Sequence, residues 1–108
     1  SKTYISLSKF NLSTITKDGK FWVEPKLDVS QSQWYLTLIN TSKNLLSFFV
    51  VPSTSGIYDK LRKREDKGCY SLEFDPNDKT FRELKSHIRF DQFLVGTYEY
   101  NDQEIFNV

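Results

Sequence analysis

Two apolar runs that lie close together in the sequence constrain the fold more than any other feature. Trp34 to Ile39 divides its side chains between two faces, and Leu45 to Val51 is apolar at almost every position. The first pattern is typical of a strand with two different faces, and the second of a strand buried on both. Asn40 to Asn44, between them, is a polar turn. We therefore expect these two strands to form the centre of a sheet.

The composition also favours a sheet. The 108-residue chain contains no Ala and no Met, whereas Ile, Val, Phe, Tyr, Trp and Thr are plentiful. The best helix former is therefore missing, and the abundant residue types favour strands. The length predicts a single domain over residues 1–108, either free-standing or excised from a larger protein.

Other strands are predicted around this centre. Asp18-Gly19 lies between two β-prone runs and predicts a type I′ hairpin turn, because that turn needs positive φ at both central residues. The remaining strands are expected at Thr3 to Leu7, Leu12 to Thr16, Phe21 to Val23, Tyr70 to Phe74 and Phe93 to Glu99.

Two short helices are predicted after the central strands. Apolar spacing and opposite charges four residues apart favour a helix within Ile57 to Asp66. Thr80 and Glu83 have the spacing of a capping box, which predicts a second helix that continues to Ile88. The expected fold class is α+β: a bent, mostly antiparallel sheet, open or closed into a small barrel, with two short helices.

The composition excludes several classes of chemistry. Cys69 is the one cysteine and His87 the one histidine, so neither an internal disulfide nor a four-ligand zinc site of the usual kind can form. We identify no catalytic residue, no metal site and no cofactor. No apolar run is long enough to cross a membrane, and we expect a cytoplasmic protein.

A basic segment is the sharpest local feature, although the net charge is only +1. Arg and Lys side chains bind phosphates, and exposed aromatic rings on strands stack with bases. Trp22 is the aromatic residue that we expect outside, since Phe21 and Val23 occupy the other face of its strand. We therefore predict a non-catalytic recognition module for nucleic acid that uses Lys60, Arg62, Lys63, Arg64, Lys67 and Trp22. The alternative is a solvated helix face.

Two weaker patterns indicate a small nuclease instead. Glu24-Pro25-Lys26 resembles the E-x-K pattern of the PD-(D/E)xK nuclease fold, in which the Glu holds Mg²⁺ and the Lys assists the attacking water. Trp34 to Ile39, Phe49 to Ser55 and Ser86 to Gln92 follow an order that resembles the PemK/MazF endoribonuclease toxins. That resemblance implies a catalytic role for Ser53 to Ser55, but no Arg precedes Arg62 to match the family's catalytic Arg.

A protein–protein interaction domain is the third interpretation. Apolar strands can continue a sheet into a partner protein through their free backbone groups. Such a domain would expose an apolar patch or form dimers.

Overall fold

A computed structural model describes residues 9–101 and has a sheet-rich fold. The strands are β1 (Phe10–Thr14), β2 (Phe21–Val23), β3 (Trp34–Asn40), β4 (Leu45–Val51), β5 (Lys63–Arg64), β6 (Cys69–Tyr70), β7 (Leu72–Phe74) and β8 (Leu94–Glu99). Two 3-10 turns span Leu27–Gln31 and Phe90–Phe93. The strand predicted at Thr3 to Leu7 lies outside the described residues.

The main sheet has the strand order β1-β3-β4-β8, with the two predicted central strands in the middle. β3 pairs antiparallel with β4, and β4 with β8, whereas β1 and β3 are parallel. A parallel pair needs a long crossover, and the chain between β1 and β3 provides one by passing through β2. Of the two forms left open by the sequence, the sheet is the open one, because β1 and β8 lie at its opposite edges and do not close into a barrel.

Two smaller antiparallel pairs complete the fold. β2 pairs with β7, and β5 pairs with β6. The inward side chains of the β2–β7 pair and those of β3 and β4 belong to one core cluster, so the core lies between these two sheets. Its fully buried large side chains include Trp34, Leu36, Leu38, Phe49, Phe74 and Phe90.

The prediction that β4 is buried on both faces is correct for one face. Ser47, Phe49 and Val51 are buried, whereas Phe48 and Val50 on the other face are half-buried. The inner face packs against the core, and among residues 9–101 no second layer covers the outer face.

The hairpin predicted at Asp18-Gly19 is present, but its turn type differs. The amide of Gly19 donates to the carbonyl of Thr16 at 2.9 Å, and that of Thr16 donates to the carbonyl of Lys20 at 2.8 Å. Gly19 has a φ of +75°, whereas Asp18 has no positive φ. A type I′ turn requires positive φ at both residues, so this is a longer loop in which Gly19 alone adopts the left-handed conformation.

No α-helix is present in residues 9–101, and the helix predicted within Ile57 to Asp66 is instead a turn that leads into the β5–β6 hairpin. Ile57, Tyr58 and Leu61 are buried, so their spacing reflects three inward side chains on irregular backbone. The amide of Ser71 donates to the carbonyl of Arg62 at 2.8 Å, which holds this segment extended. The hydroxyl of Tyr58 has no partner among the described residues, and its burial, with Tyr70 nearby, raises its pKa to about 12.

The second predicted helix is replaced by a loop built around the buried carboxylate of Glu83. Its oxygens accept hydrogen bonds from the amides of Glu73 at 2.8 Å, Lys85 at 3.2 Å and Ser86 at 2.7 Å. Phe81 and His87 have φ values of +49° and +64°, which a right-handed helix does not allow. The Thr80–Glu83 spacing therefore marks a loop that is fixed to β7 rather than a helix start.

We expect Glu83→Ala to destabilise the protein more than the same substitution at any exposed carboxylate. The substitution leaves three amides without their acceptor, and a buried unsatisfied group costs about 1–3 kcal/mol. Urea unfolding should show a loss of at least about 3 kcal/mol, against less than about 0.5 kcal/mol for the exposed control Glu65→Ala. Similar losses for the two variants would contradict the role of Glu83.

Candidate nucleic-acid interface

Trp22 lies outside the core, as its position opposite Phe21 and Val23 predicts. Phe21 is 2% exposed and Val23 3%, whereas the side chain of Trp22 is 50% exposed. Phe21 and Val23 pair with Phe74 and Leu72 of β7 and point into the core. Because successive side chains on a strand alternate, Trp22 must point towards solvent.

The same alternation continues on both sides of Trp22 and brings charged residues onto its face. Lys20 and Lys26 are exposed and Glu24 is half-buried, whereas the residues between them are buried. We call the outward residues Lys20, Trp22, Glu24 and Lys26, together with Arg64, the Trp22 strip. The six steps of extended chain from Lys20 to Lys26 span about 20 Å.

Arg64 joins the strip through an ion pair with Glu24. Its Nη1 donates to Glu24 Oε2 at 2.9 Å, and its Nη2 lies 3.7 Å from Asp66. Cys69, the neighbour of Arg64 across the hairpin, forms a bridge to Lys26, so all three lie on one face. The pairing places a guanidinium at Glu24, two residues along the chain from Trp22, and neutralises the strip's carboxylate.

The other predicted cations are arranged differently. Lys63 pairs across the hairpin with the buried Tyr70, so it starts on the opposite face from Arg64. Lys67 is exposed in the hairpin turn, and Lys60 and Arg62 are exposed ahead of β5. The structure therefore links Arg64 with the strand of Trp22, whereas Lys60, Arg62 and Lys63 have no described contact with it.

A shallow groove of about 450 Å³ lies at the other end of the strip. Lys17, Asp18 and Lys20 of the β1–β2 turn line it together with Trp22 and Glu73. Glu73 lies beside Trp22 in the β2–β7 register, and Lys85 Nζ lies 3.5 Å from its carboxylate. Lys17 and Lys20 thus line the same groove as Trp22, together with the acidic Asp18, while Glu24 and Glu73 each have a cationic partner.

Sequence reasoning missed Lys20 and Lys26 as neighbours of Trp22. The signal was available, because the alternation that exposes Trp22 also exposes the residues two and four positions away. Arg64 was predicted as a site residue because of its charge, but its pairing with Glu24, 40 residues away, could not be predicted from the sequence.

The nuclease patterns are not assembled in the described residues. Glu24, the expected metal ligand, accepts a hydrogen bond from Arg64, and no group of three His, Cys, Asp or Glu residues in 9–101 is placed to hold a metal ion. Ser53 and Ser55 lie in a turn after β4, and no hydrogen bond to an arginine is found there.

The remaining strand aromatics divide between the core and a second exposed surface. Trp34 and Phe49 are fully buried, as expected for core residues. Phe10, Leu12, Val95 and Tyr98 are each 44–65% exposed. Phe10, Leu12 and Tyr98 lie with half-buried side chains on the outer side of the main sheet, and we call this surface the outer sheet face: Phe10, Leu12, Tyr35, Leu46, Phe48, Val50 and Tyr98.

The rings of the outer sheet face are stacked on one another. The Tyr35 centroid lies 4.7 Å from that of Phe10 and 6.3 Å from that of Phe48, with interplanar angles of 16° and 10°. Tyr35 therefore lies between two nearly parallel rings. Tyr98 is 55% exposed, so this face also keeps free ring surface, but its cross-strand rows carry no cation to accompany it.

The chain matches no protein-family model, and neither curated proteins nor solved structures include a significant match. Among residues 9–101, no helix has the length and apolar character needed to span a membrane.

The Glu24–Arg64 pair should contribute a small, salt-sensitive stabilisation, because both side chains are about 30% exposed. In a double-mutant cycle of Glu24→Gln and Arg64→Gln, we expect a coupling of roughly 0.5–1 kcal/mol that decreases as salt is added. Thermal unfolding of wild type, the two single variants and the double variant measures this coupling. A control cycle in which Glu65→Gln replaces Glu24→Gln should show none. Zero coupling at low salt would contradict this pairing.

Proposed function

We propose that this chain is a non-catalytic recognition module that binds single-stranded nucleic acid along the Trp22 strip. The observation that carries the proposal is a half-exposed Trp22 ring on a strand face that also bears Lys20, Lys26 and the guanidinium of Arg64. A free indole surface stacks with an unpaired base, and flanking cations bind the backbone phosphates.

Single-stranded nucleic acid fits this arrangement better than duplex. The strip is an exposed strand face with one aromatic ring, and stacking requires a base that is not already paired and stacked. No element of residues 9–101 is an α-helix that could enter a major groove. We also propose that the module works in the cytoplasm, where reducing conditions keep the buried thiol of Cys69 free.

The affinity should depend on salt. Arg64 is already paired with Glu24 and Asp66, so about two phosphate contacts, from Lys20 and Lys26, predict a slope of log K against log salt near −1.4 for a single strand. Binding should therefore weaken about sevenfold between roughly 50 and 200 mM salt.

We expect Trp22→Leu to weaken binding of a labelled single-stranded oligonucleotide by roughly tenfold, because stacking contributes about 1–3 kcal/mol per base. Fluorescence anisotropy measures the change. The matched control is Tyr98→Leu, which removes a ring of similar exposure from the outer sheet face.

Lys26→Gln should reduce the slope of log K against log salt by about 0.7, because it removes one phosphate contact, whereas the control Lys79→Gln should leave the slope unchanged.

Equal affinities for wild type, Trp22→Leu and Tyr98→Leu would contradict the proposed site. Loss of binding in Lys60→Glu/Lys63→Glu, with no effect of Trp22→Leu, would assign the nucleic-acid binding site to the other face of the hairpin. Cleavage of the probe that needs Mg²⁺ and is lost in Glu24→Gln would instead support the nuclease interpretation.

A second candidate function, self-association, is favoured by the outer sheet face. Its cross-strand rows contain no charged residue: Phe10, Tyr35 and Val50; Leu12, Thr37, Phe48 and Gly96; Thr14, Ile39, Leu46 and Tyr98. A face without charge offers nothing for a charged partner to complement, whereas a flat apolar face can match a second copy of itself across a two-fold axis. Four strands of five residues cover only about 300 Å², so the dimer should be weak.

We expect Leu12→Lys to abolish this self-association, because it places a charge at the most exposed apolar position of the face. Sedimentation equilibrium should show wild type dimerising at about 0.1–1 mM and the variant remaining monomeric. The control is Trp22→Lys, which changes an exposed ring elsewhere. A monomeric wild-type protein over that range would contradict the dimer.

A further inference from the structure

We propose that a cavity between the main sheet and the loop after β7 binds a small carboxylate that has an apolar body. The cavity has a volume of about 270 Å³ and lies on the core side of β2, where Phe21 lines it, whereas Trp22 points to the opposite face. This is slightly below the range of about 300–1,000 Å³ for pockets that hold drug-sized ligands, so the ligand is the size of a small metabolite.

The floor of the cavity is apolar. Phe21, Leu38, Phe81 and Leu94 line it, and they come from four separate segments of the chain. An apolar floor of this kind accepts an aromatic ring or a short alkyl chain, because burial of that surface is favourable.

The polar wall offers hydrogen-bond donors in excess. Asn40 is buried, and its Oδ1 already accepts from the amides of Ser42 at 3.1 Å and Lys43 at 3.2 Å. Its Nδ2 makes no hydrogen bond among residues 9–101, so this group can donate to a ligand. Ser47 Oγ and Thr97 Oγ1 lie 3.1 Å apart, and because one hydroxyl donates to the other, the second keeps its proton for a further acceptor.

The charges at the cavity also favour an anion. Lys43 and Lys79 line it, and neither has a carboxylate within salt-bridge distance among residues 9–101. Asp78 is the one carboxylate in the lining, and its Oδ1 accepts from the amide of Thr80 at 2.9 Å and its hydroxyl at 2.7 Å. The ligand group that these donors and cations suit is a carboxylate.

Strained backbone places one wall of the cavity. Phe81 has a φ of +49°, a conformation that bulky residues rarely adopt. It is held there by its amide, which donates to Asp78, by its carbonyl, which accepts from Phe90, and by an edge-to-face contact with Phe49 at 4.9 Å. Such strain is common at ligand sites.

The test compares phenylacetate with its uncharged analogue phenylacetamide, followed by NMR of the ¹⁵N-labelled protein. We expect phenylacetate to bind with a Kd of about 1 mM and to shift the Asn40 side-chain amide and the Ser47 and Thr97 backbone amides. Phenylacetamide should bind at least about fivefold more weakly, because it lacks the charge.

Two variants identify the site. Lys43→Gln/Lys79→Gln changes only exposed cations and should abolish the preference for phenylacetate, whereas the control Lys60→Gln/Lys67→Gln should keep it. Thr97→Phe should fill the cavity from an exposed position and prevent binding of both probes. Equal binding of the two probes to wild type, shifts confined to other residues, or no shift at about 10 mM would overturn the proposal.

Discussion

The ring of Phe90 connects the parts of the core on which the other features depend. It is fully buried and makes edge-to-face contacts with Trp34 of β3 at 6.2 Å, Phe74 of β7 at 5.0 Å and the neighbouring Phe93 at 5.5 Å. One ring thus joins the main sheet to the β2–β7 pair. A chain without Ala or Met and without an α-helix in residues 9–101 builds its core from interlocking aromatic and branched aliphatic side chains.

The position of the candidate interface follows from that core. Phe74 must face inward to reach Phe90, and its partner Phe21 must face inward with it. Trp22 then has no place inside, and Lys20, Glu24 and Lys26 share its direction. Burial of one side of the segment therefore fixes what the other side exposes, and the Glu24–Arg64 pair adds the hairpin to the same face.

Most strands could be predicted from the sequence, because alternation with a period of two is direct evidence for them. The two helix predictions were wrong for a physical reason. Ile57 and Leu61 have helical spacing, but both are buried on irregular backbone, and Glu83 caps three amides of a loop instead of a helix start. Nothing local in the sequence predicts the positive φ of Phe81 and His87, because both residues belong to a loop held by tertiary contacts: Phe81 packs on Phe49 of β4, and Glu83 binds the amide of Glu73 in β7. Of the candidate interface, Trp22 was predictable from its strand, whereas the contact between Glu24 and Arg64 is tertiary.

The most direct test uses the two indole N–H signals in the NMR spectrum, assigned with a Trp22→Phe variant. Trp34 is fully buried and its Nε1 donates to Asn11 Oδ1 at 2.9 Å, so it serves as an internal reference. On titration with a single-stranded oligothymidylate, we expect the Trp22 signal to shift progressively while the Trp34 signal stays in place. An unchanged Trp22 signal at saturating oligonucleotide would contradict nucleic-acid recognition by the Trp22 strip.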